Sequence, residues 1–384
     1  MGDPQFGCRH NGGHYPGLNR RSMVCAPHPY RSAGGNPMPE VQNAPTRHQT
    51  RPARGSRAWR IVFVVFSAFA IVVLGAAAVT VWNLSRSFES VEKIPAAFPA
   101  DESVRPPVAT GAAASALNFL LLGSDSRGAS TGSIANLSGQ RSDTIVIVHV
   151  PADRKSLSVM SIPRDTWLEI PGHGEAKINA ALSYGGVPLA VQTVEGLLGS
   201  RIDHVAVVDF AGFAALTDAL GGVDIDNPIA FDSYHLAGHT FPQGAQHLTG
   251  TEALAFARER YAFTDGDFQR VRNQQLLIRA LLSGLMQKSV LASPATMGGV
   301  VEAVSPNLAI DAELSATDLV SLGVELREVR EGDVSFFTIP TTGTGTSADG
   351  QSIVNLDWEA LPALQEAYRS DTVAAVVGPL QAAG

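Results

Sequence analysis

The stretch Arg258–Gln275, RERYAFTDGDFQRVRNQQ, sets four arginines (Arg258, Arg260, Arg270 and Arg272) among three acids, Glu259, Asp265 and Asp267. Guanidiniums that outnumber the neighbouring carboxylates suit a multiply charged phosphate ester, because arginine keeps its charge and forks onto two oxygens. The alternative is a solvated charged loop beside a helix. On a helix, residues two apart lie on nearly opposite faces, so Arg258 and Arg260 serve one site only where the chain is extended. The helix containing TEALAFA is therefore expected to end near Arg258. After the turn TDGD a second helix is expected, with Asp267, Arg270 and Gln274 on one face and Arg272 off it.

Three further polar clusters punctuate apolar runs upstream. ALNFLLLG ends in GSDSRG, which contains Asp125; Arg141, Ser142 and Asp143 introduce TIVIVHV; SLSVMSI ends at Pro163, Arg164 and Asp165. The runs read as strands joined by turns. In an antiparallel meander, the end of the first, the start of the second and the end of the third share one sheet edge, where Asp125, Asp143, Arg164 and Asp165 converge. Singly, each reads as an ordinary turn former flanking a strand.

Farther along, GEAKINAALSYGGVPLAVQTVEGLLG reads as a short helix, a Gly-Gly break and an amphipathic helix. HVAVVDF reads as a strand, AGFAALTDALGG as a helix closed by glycine, VDIDNPI and VSFFTI as strands, and 268–287, 314–327 and 357–369 as helices. Strands alternating with helices, three of them joined by tight turns, point to an α/β domain with a mixed central sheet sandwiched by helices. GTGTSADG lacks phosphate-loop spacing and reads as a flexible loop. His235 and His239 have helical zinc-ligand spacing, but Gly238 and its turn-forming neighbours argue against a helix. Ser124 and Ser126 have no histidine base in the local sequence, and no Walker A, GxSxG or HExxH motif occurs.

Residues 1–60 hold nine arginines against Asp3 and Glu40, with no periodic apolar segment, and are expected to be disordered. Residues 61–82 form an uncharged apolar run long enough to span a bilayer as one N-terminal transmembrane helix, bracketed by Trp59 and Trp82. The positive flank before it implies a cytoplasmic N-terminus and an extracellular remainder. The run is longer than a signal-peptide core, which favours an uncleaved anchor. Residues 83–116 read as a Pro- and Ala-rich stalk, leaving 117–384 as the exported domain. Taking the tail's charges from totals of 28 Lys+Arg and 36 Asp+Glu leaves 19 and 34, a net −15. That acidic background argues against a nucleic-acid partner. Cys8 and Cys25 both lie in the tail, so the exported part has neither disulfide nor thiol nucleophile.

Taken together, LLGSDSR, RSDT ahead of a strand, SIPRDT, KINAA followed by GG, and RxR followed by GDxxRxxxQQ resemble the LytR-CpsA-Psr family of Gram-positive, here actinobacterial, cell envelopes over residues 117–285. The resemblance implies an enzyme that takes a glycopolymer from polyprenyl pyrophosphate and transfers its phosphoglycosyl end to a peptidoglycan hydroxyl. It implies Mg²⁺ at Asp125 and Asp143, a pyrophosphate grip from Arg164, Arg258, Arg260, Arg270 and Gln274, and substrate-binding roles for Asp165 and Lys177. Many members carry arginine where this chain has Asn273; Arg272 is the neighbouring substitute, on a different helical direction. The chemistry agrees, since attack on a pyrophosphate needs its oxygens neutralised and its leaving phosphate stabilised. Asp267, one helical turn before Arg270, is the candidate base by geometry. Two other readings use the same residues: a polyprenyl pyrophosphate hydrolase, and a non-catalytic lipid-binding regulator. A lipid substrate also predicts an apolar cavity, with Leu254, Phe256, Leu277 and Leu281 as its lining.

Overall fold

The computed structural model describes residues 86, 88–124, 142–264, 266–286 and 294–383. The expected tail and membrane span lie outside these residues, and among the described residues no helix is long and apolar enough to cross a membrane. The chain begins with β1 (Glu92–Ile94), β2 (Leu117–Ser124), β3 (Ser142–Val150), β4 (Leu157–Ile162), β5 (Thr166–Ile170) and β6 (Gly174–Lys177). Helix α1 (Ala180–Leu198), β7 (His204–Asp209) and α2 (Phe210–Ala219) follow. Short strands β8 (Val223–Asn227), β9 (Phe231–Asp232), β10 (Thr240–Phe241) and β11 (Gly244–Leu248) lead into helices α3 (Gly250–Arg258), α4 (Gly266–Met286) and α5 (Pro294–Val304). The last third comprises β12 (Leu308–Asp311), α6 (Ala316–Glu325), β13 (Val334–Thr338), β14 (Thr341–Thr346), β15 (Ser352–Leu356), α7 (Leu361–Arg369) and α8 (Val373–Ala383).

A seven-stranded mixed sheet runs β1-β12-β7-β2-β3-β4-β13, and a four-stranded sheet runs β14-β15-β5-β6. Side chains alternate across β2: Leu120 and Leu122 join the core under α1, while Phe119 and Leu121 face Ile278 and Leu282 of α4. Helices thus cover both faces, as the alternation of element types implied. The expected meander is present. β2 pairs antiparallel with β3 out to Ser124 opposite Ser142, and β3 with β4 from Ile145 opposite Ile162. β7 runs parallel to β2 and brings Asp209 beside Ser124 at the same edge.

The structure departs from the sequence reading in three places. Residues 88–116 are not a free stalk. Phe88, Val91, Ile94 and Ala97 recur at every third position and are buried, β1 pairs with β12, and Arg105 reaches buried Glu195 at 2.6 Å. The segment GEAK is a strand rather than a helix, because Gly172 and Gly174 (φ 77° and 73°) turn the chain back along β5. The GTGT stretch lies in β14, not a loop: its threonines suit a pleated strand, and β15 supplies the partner.

The Gly-Gly break is real. Gly186 in α1 has φ 66° and ψ −159°, a region essentially closed to any residue with a Cβ. Gly186→Ala is expected to destabilise the fold by about 1–3 kcal/mol. Gly196→Ala, in the same helix with open space around the added methyl, is expected to be neutral or to stabilise by up to about 1 kcal/mol. Thermal unfolding of the two variants, with opposite shifts in Tm, checks this.

Candidate active site at the mouth of an apolar cavity

Helix α3 starts at a capping box, in which Thr249 and Glu252 each satisfy the other's backbone N–H. Gly250 lets it settle onto α2, since a Cβ there would lie 2.2 Å from the Ala214 carbonyl oxygen. The helix ends at Arg258, and Glu259 takes up extended angles, φ −65° and ψ 130°. Glu259 is fully buried. Its Oε1 accepts the N–H of Arg260 at 3.1 Å and of Tyr261 at 3.1 Å, and its Oε2 accepts the N–H of Tyr234 at 2.7 Å. With Glu259 turned inward, Arg258 and Arg260 both line one cavity. The Arg258 guanidinium lies over the Phe210 ring at 4.5 Å, and Arg260 lies over Tyr261 at 5.0 Å. His235 Nε2–H donates to the Arg258 carbonyl at 3.0 Å, satisfying an end carbonyl of α3.

Helix α4 supplies Arg270, which is buried, and Gln274, both on the cavity wall. Arg272 is on the exposed side, with its guanidinium on Gln269 Oε1 at 2.6 Å, so it does not take the place that Asn273 leaves. Asn273 ties the helices together instead, donating from Nδ2 to the Phe256 carbonyl at 3.2 Å. Gln275 Nε2 pins α4 to the sheet through Ser161 Oγ at 3.2 Å and Thr338 Oγ1 at 3.0 Å.

At the sheet edge, Arg164 Nη1 donates to Asp143 Oδ1 at 2.5 Å and Arg164 Nε to Asp165 Oδ2 at 3.3 Å. Lys177 Nζ meets the other oxygen of Asp165 at 3.0 Å. Asp143 and Arg164 line the cavity, whereas Asp165 and Lys177 stand behind Arg164. Asp125 lies outside the described residues, as does the side chain of Asp267, which sits in the first turn of α4.

The cavity encloses about 540 Å³ between the sheet and α2, α3 and α4. Its depth is apolar, with Leu121, Phe213, Leu254, Leu281 and Leu285 among its walls. Leu254 and Leu281 are where the sequence put them; Phe256 and Leu277 instead fill the neighbouring core, at 0% exposure. A second groove of about 560 Å³ lies between β8, β11 and α4. Its walls mix Asp224, Asp226, His247, Arg279 and Glu331, and it lacks both a surplus of cations and an apolar interior. Among the described residues no trio of His, Cys, Asp or Glu forms a metal cage. Asp143 fits the needs of Mg²⁺, which takes one or two carboxylates and completes its shell with phosphate oxygens and water.

The sequence reading missed Asp209, Phe210, His235 and Tyr261 as cavity residues. Asp209 was detectable as a strand-ending acid before a helix, and it caps α2 through the Gly212 N–H at 2.7 Å. His235 was noticed only for its spacing to His239; nothing local tied it to the arginines, because the segment between β9 and β10 brings it in from elsewhere in the chain. Glu259→Gln, which puts an amide NH₂ where N–H donors converge, is expected to cost about 1–3 kcal/mol for each donor left unsatisfied. Chemical denaturation measures the loss, and Arg260-dependent binding should fall with it.

Residues 83–370 match the LytR_cpsA_psr family. The chain is 32% identical over 286 residues to the cell wall biosynthesis protein LcpA of Corynebacterium glutamicum, covering 64% of this chain and 54% of that protein. It is 29% identical over 328 residues to the polyisoprenyl-teichoic acid–peptidoglycan teichoic acid transferase TagU of Enterococcus faecalis, covering 83% of this chain and 98% of that one. The fold resembles the crystal structure of TagV from B. subtilis, with TM-score 0.58, 27% identity, and coverage of 67% of this chain and 97% of that one. It also resembles TagT bound to LI-WTA, with TM-score 0.52, 26% identity, and coverage of 68% and 93%. The match of family, relatives and fold over the segment that builds the cavity and its charged mouth places this chain in the LytR-CpsA-Psr family.

Proposed function

We propose that the protein is a membrane-anchored extracellular phosphotransferase. It takes a glycopolymer carried on polyprenyl pyrophosphate and joins it to a peptidoglycan hydroxyl through a phosphodiester, releasing polyprenyl phosphate. The observation that carries this reading is one cavity with a hydrocarbon depth and a mouth lined by Asp143, Arg164, Arg258, Arg260, Arg270 and Gln274. An amphiphile with a long apolar tail and a diphosphate head matches both parts. The relatives named for attaching teichoic acid to peptidoglycan support the choice of acceptor.

In the reaction, the acceptor oxygen forms a bond to the glycan-bearing phosphorus, and the P–O bond to the lipid-side phosphate breaks with its electron pair. The hydroxyl proton passes to a carboxylate, a role we assign to Asp267 from its position one turn ahead of Arg270. Arg164, Arg258, Arg260 and Arg270 hold the nonbridging oxygens, and Gln274 adds an amide donor. Charge grows on the departing phosphate, so fixed guanidiniums favour the transition state over bound substrate. Asp165 and Lys177 act through Arg164 by holding its guanidinium against Asp143. Mg²⁺ held by Asp143 and Asp125 would supply further neutralisation of the diphosphate. A span over residues 61–82 would keep the cavity at the membrane surface, where the lipid tail emerges.

The test incubates the protein with a lipid-linked glycan, Mg²⁺ and peptidoglycan fragments. The expected product is glycan joined to peptidoglycan through phosphate. Release of free glycan phosphate into water would make it a hydrolase, and no consumption of lipid would make it a regulator. Arg258→Lys should lose activity about as far as Arg258→Ala, on the order of 100-fold, because a lysine cannot fork onto two oxygens while lying flat on Phe210. Asp143→Asn and Asp125→Asn should abolish Mg²⁺-dependent transfer. Asp143→Asn should cost no more than about 1 kcal/mol of stability, since its pair with Arg164 is partly solvated. Full activity of both variants in the presence of a chelator would remove the metal from the mechanism.

A further inference from the structure

Beside the charged mouth stand two large rings that the fold itself does not need. Tyr234 is 70% exposed and Tyr261 is 61% exposed, yet their ring centroids are only 4.5 Å apart. Exposed aromatic surface gathered in one place adds little to folding stability and marks a contact surface. The pairing is built from below. Both backbone N–H groups donate to the two oxygens of the same buried carboxylate, Glu259, at 2.7 Å and 3.1 Å, although the tyrosines come from different loops. His235 sets its edge against Tyr234, with centroids 5.5 Å apart, and is itself fixed to the Arg258 carbonyl. Tyr261 carries the Arg260 guanidinium over its face at 5.0 Å, which joins the aromatic pair directly to the anion-binding mouth.

We propose that Tyr234 and Tyr261 form a platform for the first pyranose ring of the donor, the sugar bonded directly to the diphosphate. This inference rests on the phosphotransferase reading above. The apolar C–H face of a pyranose packs against an aromatic ring, and the tyrosine hydroxyl stays in water beside the sugar hydroxyls. Once the arginines hold the diphosphate, the sugar on its outer phosphate lies within reach of the ring next to Arg260. The hydrocarbon tail has its own space in the cavity, so the exposed tyrosines are not needed for it. The platform thus positions the glycan end for attack and makes the enzyme prefer a glycosylated lipid diphosphate over a bare one.

The experiment uses the full-length protein and four probes: farnesyl pyrophosphate, farnesyl pyrophosphate bearing one N-acetylglucosamine and a peptidoglycan disaccharide fragment, each presented in detergent, and, separately and without detergent, phosphatidylglycerol vesicles. Wild type should bind the glycosylated lipid more tightly than the bare one by roughly three- to tenfold, the worth of one stacked ring. Tyr234→Ala should erase that ratio without changing affinity for the bare lipid, and Tyr234→Phe should keep it. The variant should fold, given the exposure of the residue. An unchanged ratio in Tyr234→Ala overturns the proposal. A loss confined to the disaccharide fragment overturns it in favour of an acceptor site. Weakened binding to phosphatidylglycerol vesicles with the ratio intact overturns it in favour of membrane docking. Failure of wild type to bind either lipid, in contrast, overturns the phosphotransferase reading on which the platform rests.

Discussion

The arrangement of the site depends on the buried carboxylate of Glu259. A charge taken out of water is costly unless its oxygens are fully hydrogen-bonded, and here backbone N–H groups from two separate loops supply those bonds. Meeting that demand forces the chain out of the helix immediately after Arg258. Extended backbone then sends the residues on either side of Glu259 the opposite way, toward the cavity. One inward acid thereby sets the direction of two outward arginines. The same carboxylate also fixes the loop that brings His235 to the mouth.

The sheet edge solves the complementary problem of holding cations near one another without substrate. Asp143, Arg164, Asp165 and Lys177 alternate in sign along a chain of contacts between 2.5 and 3.3 Å. Each guanidinium or ammonium faces an acid, so the repulsion that would splay a bare cationic cluster is offset before any anion arrives. Arg258 uses a different support, the face of Phe210. Guanidiniums held in place in this way need little reorganisation when negative charge develops in front of them.

Much of this was legible in the sequence, and the reasons are specific. Arg258 and Arg260 demanded extended chain, and the helix does end there. Three successive apolar runs, the last two separated only by the short turn after Val150, gave the meander, and with it the meeting of Asp143, Arg164 and Asp165. What failed was local propensity overruled by tertiary pairing. GTGT carries a weak strand signal until β15 lies beside it, and residues 88–97, FESVEKIPAA, set their apolar period of three among charged residues and a proline, matching neither the helix nor the strand pattern. The cavity lining was half right for two reasons: on α3, Leu254 and Phe256 are two apart and point to different sides, and on α4, Leu277 and Leu281 share a face on which only Leu281 reaches the cavity as well as the core. The place of His235 at the mouth, fixed through the Arg258 carbonyl from a distant loop, has no counterpart in a linear pattern, which offered only its spacing to His239.

The order of strands in the sheets carries a consequence for how the protein comes into being. The recognisable motifs end by Gln275, yet β12 and β13 from the last third of the chain complete the central sheet on both sides of the meander. The Asp165 carbonyl, directly behind the arginine of the third strand, accepts the N–H of Val354 at 2.9 Å. Pairings over such sequence distances form late, because each must first overcome the entropy of closing a long loop. A chain emerging in order from its N-terminus therefore presents every charged residue of the mouth before the scaffold that aims them exists. The charged mouth takes its shape when the C-terminal strands dock, since without β12 and β13 the strands beside them, β7 and β4, keep unpaired edges of the kind that template aggregation.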